Sequence, residues 1–73
     1  MEEQRDLIQK LSARERAVLQ LTAEGFTSNE AGAQLLISPK TVDTYRARLM
    51  AKLGFSHRSE LVRFAVRSGL LHI

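Results

Sequence analysis

Two helix starts stand so close together in this chain that the helix between them can be only a few residues long. Thr27 followed by Glu30 is a capping box, in which each side chain satisfies a free backbone N–H of the new helix. Ser38 followed by Pro39 is a second start: serine caps, and proline sits at the first helical position, where a missing N–H costs nothing. The first signal opens a short helix with Ala31 and Leu35 as apolar positions, ending near Leu36. The second opens a longer one that Gly54 stops. The link from Leu36 to Ser38 leaves room only for a tight turn, so two short amphipathic helices must fold sharply on each other, which is the helix-turn-helix pattern.

The same punctuation delimits the rest. Ser12 and Glu15 form another capping box and Gly25 a stop, predicting a helix from about Ala13 to Glu24 with Ala17, Val18 and Leu21 as its apolar positions. A fourth helix is expected from about Ser59 to Ser68, with Gly69 as its C-cap and Leu70 and Leu71 folding back on it. No alternating run of β-branched residues argues for a strand, so the expected class is all-α with four helices. Residues 1–10 read as an N-terminal arm or linker, holding at most a frayed turn or two through Leu7, Ile8 and Leu11. Residues 11–73 read as the domain, with the helix-turn-helix at about 28–53. At 73 residues there is material for one core.

Several classes of function are disfavoured. With no cysteine there is neither a disulfide framework nor a thiolate metal site, and His57 and His72 lack metal-cluster spacing, so neither metal nor cofactor is expected. His57 lies in a polar loop and reads as a surface histidine. No nucleophile, base and orienting group can be assembled, and no catalytic residue is assigned. The apolar runs are far shorter than the roughly 20 residues that span a bilayer, and no signal-peptide pattern opens the chain. The expectation is a soluble protein of the cytoplasm without a membrane partner.

Charge is unevenly placed. Residues 1–24 hold four Lys/Arg against five Asp/Glu, and residues 25–73 hold seven against three, so the surplus behind the net charge of +3 lies in the later part. On the third helix, Val42, Tyr45, Leu49 and Leu53 fall in one narrow stripe that must face the core. Opposite lie Lys40, Asp43, Thr44, Ala47 and Ala51, with Arg46 and Arg48 on the shoulders. Small Ala47 and Ala51 let the backbone approach another body closely while the arginines reach out on both sides, a geometry that suits a groove lined with phosphates. The plainer alternative makes Lys40, Asp43 and Arg46 simple i, i+3 charge pairs on a solvated face, each worth about 0.2 to 0.5 kcal/mol.

The runs "LSARERAVLQL", "EGFTSNEAG", "LLISPKTVDTY" and "KLGFSHRSELV" resemble, in order and spacing, the LuxR-type DNA-binding domain of the NarL/FixJ response regulators and GerE-like proteins. The resemblance implies a four-helix LuxR-type helix-turn-helix domain with its recognition helix over residues 38–53. That helix would lie in the major groove of double-stranded DNA, with Lys40, Asp43, Thr44 and Ala47 facing bases. Thr27, Ser28, Asn29, Thr41, Arg46, Arg48, Lys52 and Arg58 are the candidate phosphate contacts. For Thr27, Ser28 and Asn29 simple capping is an equal reading, and Lys52 also suits the helix dipole where it stands.

The departures matter too. Asp43 stands where the family often has lysine, and Tyr45 where it often has histidine, so base preference cannot be carried over. An acid in the groove accepts from a cytosine amino group and repels phosphate, which makes Asp43 a discriminator, while Thr44 can offer a hydroxyl or pack its methyl on thymine. Gly32 weakens the supporting helix by about 1 kcal/mol unless packing there is close. On the fourth helix, Leu61, Val62, Phe64, Ala65 and Val66 cover an arc wider than one core contact uses. Either the helix is broadly buried or it pairs with its counterpart in a homodimer on paired half-sites, as the resemblance implies. The alternative function is a helical protein-interaction module that contacts RNA polymerase or another regulator.

Overall fold

The computed structural model describes residues 7–70. Four helices follow in order: α1, Ala13–Ala23; α2, Ser28–Leu35; α3, Pro39–Leu53; and α4, Arg58–Arg67. No strand occurs among the described residues, and none of their helices is long and apolar enough to cross a membrane. Residues 7–9 are helical as well and end in a turn, with the N–H groups of Lys10 and Leu11 bonded to the carbonyls of Leu7 and Ile8. Leu11 is buried in the core, and Leu7 and Ile8 pack against it. The expected fold-back of Leu71 lies outside the described residues.

The starts are set by the side chains that the sequence marks. Ser12 accepts from the N–H of Glu15, Thr27 from Glu30 and Ser38 from Thr41, each at 3.1 Å. The capping boxes at Ser12 and Thr27 are both complete. At α4 the carboxylate of Glu60 receives the N–H groups of Ser56 and His57 at 3.1 and 3.0 Å, so this helix starts one residue earlier than Ser59. Helix α3 ends on Gly54 in the left-handed region, φ 74°, where a side chain would be strained.

Val18 and Leu19 from α1, Ala31 from α2, Val42, Leu49 and Leu53 from α3, and Leu61 and Phe64 from α4 meet in one core. The α3 stripe therefore faces inward as its spacing predicts, with Tyr45 half-buried at its edge. Phe55 closes the α3–α4 corner with its ring edge-on to Phe64, centroids 5.6 Å apart.

Gly32 is where α2 meets the turn. A Cβ on it would stand 2.6 Å from the carbonyl oxygen of Ile37 and 3.4 Å from the backbone of Ser38 and Pro39. The carbonyl of Gly32 in turn receives the N–H groups of Leu36 and Ile37. Leu36 adopts the left-handed conformation, φ 60°, to make that reversal, and its side chain is 91% exposed. Close packing is thus the reason for the glycine. In an unhindered helix Gly→Ala gains about 1 kcal/mol. Here Gly32→Ala must push backbone against backbone, and it should lower stability by roughly 1 to 3 kcal/mol. Urea unfolding reads this directly, and an unchanged or raised midpoint would show that the turn yields freely.

Candidate DNA interface

Lys40, Asp43, Thr44, Ala47 and Ala51 are all exposed along the outer face of α3, and Thr27, Ser28 and Asn29 open α2 beside it. Thr27 binds the N–H of Glu30, while those of Ser28 and Asn29 have no acceptor among the described residues. Two free amides at a helix N-terminus attract an anion. Lys40 makes no ion pair among the described residues. Arg48 is exposed and lies over the ring of Tyr45, 5.8 Å from its centroid, a stacking that restricts the guanidinium without neutralising it.

Most hydroxyls of this face are spent inside the protein. Thr44 Oγ1 donates to the carbonyl of Lys40 at 3.1 Å, and the hydroxyls of Ser38 and Thr41 share a bond of 2.8 Å. Thr44 therefore offers its methyl and acceptor lone pairs, not a donor. Ser28 Oγ donates to Asp43 Oδ1, linking the start of α2 to the middle of α3. Arg46 Nη1 lies 3.8 Å from the same oxygen; its side chain is only 30% exposed, and its Nε is buried without a partner.

Two cations expected at phosphates are committed elsewhere. Lys52 Nζ lies 2.7 Å from Glu15 Oε1 and 3.5 Å from the carbonyl of Lys10, which ties the end of α3 to the start of α1. Arg58 Nη2 donates to the carbonyl of Thr22 at 3.0 Å and closes the C-terminal end of α1. The five candidate dimer residues also divide. Leu61, Phe64 and Ala65 are buried in the chain's own core, Phe64 to 5% exposure, because α4 packs on α1. Val62 is half-buried, and Val66 is 39% exposed. Only these last two remain on a free face, so the arc is divided between core and surface.

Sequence reasoning missed the second task of Glu15. Its Oε1 takes the N–H of Ser12 at 2.8 Å as the capping box requires, and the Lys52 ammonium as well. No local pattern announces a lysine so distant along the chain. The Lys52 hydrogen bond first, and the Ser12 N–H next, hold the Glu15 carboxyl below its ordinary value of 4.5 against the opposing effect of burial. A carboxylate so depressed stabilises the fold above its unfolded pKa, and the contribution is lost as pH falls through the lower folded value. Lys52→Met should therefore lower stability at neutral pH by roughly 1 to 2 kcal/mol, since Glu15 is buried while the lysine that meets it is 44% exposed. It should also flatten the loss of stability below about pH 4.5. Unfolding midpoints measured at neutral and acid pH check this, and parallel curves for the two proteins would break the link.

A sequence profile of the bacterial regulatory proteins of the luxR family matches residues 9–65. The response regulator Rre1 of Synechocystis sp. is 46% identical over 57 residues, covering 78% of this chain and 25% of that protein. The oxygen regulatory protein NreC of Staphylococcus aureus is 39% identical over 61 residues, covering 84% of this chain and 28% of that one. The crystal structure of full-length FixJ from B. japonicum superposes with a TM-score of 0.88 at 35% identity, over 97% of this chain and 35% of that one. The chain spans between a quarter and about a third of the length of these proteins.

Proposed function

The chain belongs to the luxR family of bacterial regulatory proteins, and from that premise we propose that it is a transcription regulator domain that binds double-stranded DNA by sequence, with α3 in the major groove. The observation that carries this reading is the outer face of α3. It is exposed throughout, narrowed by Ala47 and Ala51, and flanked by Lys40 and Arg48 with neither charge neutralised. A B-form major groove about 12 Å wide admits such a helix, and its early residues meet base edges.

In this reading Lys40 donates to guanine or to phosphate, Thr44 and Ala47 present methyl groups to thymine, and Asp43 accepts from a cytosine amino group. The free amides of Ser28 and Asn29, together with Thr27, Thr41, Arg46 and Arg48, take the phosphates that flank the groove. Lys52 and Arg58 have a lesser part, because each would have to leave an internal partner to reach DNA. Selection of duplexes from a random pool tests the proposal: enrichment of a defined sequence supports it, and none overturns it. A partner such as RNA polymerase, held through the same basic face in place of DNA, would leave duplex unable to compete.

Arg48→Ala should weaken all duplexes alike and reduce the slope of log affinity against log salt by about 0.9, the value of one phosphate contact. Arg46→Ala should do less, because Arg46 is half-buried and already faces Asp43. Equal slopes for Arg48→Ala and the unaltered protein would place that arginine away from the backbone.

We further propose that two copies pair through the outer side of α4, Val62 and Val66, on paired half-sites. An apolar residue at 39% exposure beside a half-buried one, on the side of α4 turned away from the core, supports this pairing. Val66→Glu should abolish cooperative binding to two half-sites with the thermal midpoint little changed. Phe64→Glu should unfold the domain, since that ring is core. Cooperativity that survives Val66→Glu would move the pairing surface elsewhere.

A further inference from the structure

The bond between Ser28 and Asp43 is not needed to form either helix. Helix α2 is capped by Thr27 and Glu30, and α3 by Ser38 and Pro39. The bond joins the first residue of α2 to the centre of the outer face of α3, and it takes up the single hydrogen of the Ser28 hydroxyl. Ser28 was a candidate for a phosphate, yet with that hydrogen directed at Asp43 its hydroxyl has none left to donate outward.

Asp43 gains what an exposed acid otherwise lacks, a fixed side chain. Its side chain is 62% exposed, and its i, i+3 contact with Arg46 at 3.8 Å is too long and too wet to hold one rotamer. A hydroxyl fixed on another helix does hold it. Ser28 and Arg46 both meet Oδ1, so Oδ2 is left for an outside donor. A carboxylate has only acceptors, and in the major groove it accepts from the amino group of cytosine and repels the O6 and N7 acceptors of guanine. That discrimination depends on geometry, and a freely turning carboxylate would lose much of it.

We propose that Ser28 is a specificity-determining positioning residue, whose hydroxyl fixes the Asp43 carboxylate so that Oδ2 accepts from a cytosine amino group at one position of the site. The inference rests on the DNA-binding reading above, and it adds a residue that acts on the bases from the neighbouring helix without touching them.

The test measures relative affinities for all four base pairs at each position of the selected site, at one salt concentration, for the unaltered protein and four variants. Asp43→Ala should reduce the preference at one position on the order of tenfold and bind random DNA more tightly, because a charge that repels phosphate is gone. Ser28→Ala should reduce preference at that same position several-fold and leave the others unchanged, while Ser28→Thr, which keeps the hydroxyl, should preserve it. The double variant should match Asp43→Ala alone. The inference is overturned if Ser28→Ala weakens all positions alike, if it leaves that position intact, if it still acts when Asp43 is alanine, or if Asp43→Ala flattens no position. Failure of the wider reading looks different, since the unaltered protein would then select no sequence at all.

Discussion

The helix-turn-helix angle is set where backbone lies on backbone at Gly32. The carbonyl oxygen of Ile37 occupies the space in which a Cβ would stand, and the chain reverses there through Leu36 in the left-handed region. A non-glycine residue with positive φ costs on the order of 1 kcal/mol or more, and an exposed leucine gains nothing from burial in return. The turn keeps this strain because the N–H groups of Leu36 and Ile37 both bond to Gly32, and because Ile37 then packs on the core. Every later placement follows from that reversal. It sets Val42 and Leu49 inward, turns the outer face of α3 to solvent, and brings Ser28 within reach of Asp43.

Charge in this domain divides into structural and available parts. A chain of this size without cysteine has no disulfide to brace its helix ends, and it uses long cations for the purpose. Arg14 donates to the carbonyl of Leu35 at the end of α2, Arg58 to that of Thr22 at the end of α1, and Lys52 to the carboxylate at the start of α1. Cations at C-terminal carbonyls also suit the helix dipole. The basic surplus of the later sequence is therefore not all turned outward. On and beside the outer face of α3, what remains for a polyanion is sparse: Lys40, Arg48, the half-buried Arg46 and the free amides of α2, while the exposed Arg63 and Arg67 lie on α4. Sparse charge favours a site read by contacts over one held by general attraction.

The elements were legible because their signals are local. Capping boxes, Pro39 and Gly54 placed the helix limits within about a residue, since each signal acts across a single turn. The inward stripe of α3 followed from its period, and Gly32 raised a question of close packing that only the crossing chain could answer. Pairings between distant residues were not legible. Nothing in "SARE" announces Lys52, and nothing in "TSNE" announces Asp43. Spacing on a wheel could also not divide the α4 arc, because Leu61 and Val66 are equally apolar and only the position of α1 makes one core and the other surface.

The hydroxyl side chains show how far the candidate interface is organised before any ligand arrives. Ser28, Ser38, Thr41 and Thr44 all have hydroxyl partners within the protein. Each such bond removes a rotor that DNA binding would otherwise have to freeze, at about 0.5 to 1.5 kcal/mol for a mobile side chain. The bonds of Ser28 and Thr44 also remove donors that could have served any phosphate, while the bond between Ser38 and Thr41 uses one of that pair's two hydrogens. A face built in this way gives up sequence-independent contacts and keeps fixed geometry, and an acid at its centre acts in the same direction. In the proposed DNA-binding reading, Asp43 would lower affinity for every duplex through its charge, and least where a base offers it a hydrogen. Discrimination grows from that difference even as overall affinity falls, because specificity is set by the gap between right and wrong sites and not by the depth of either.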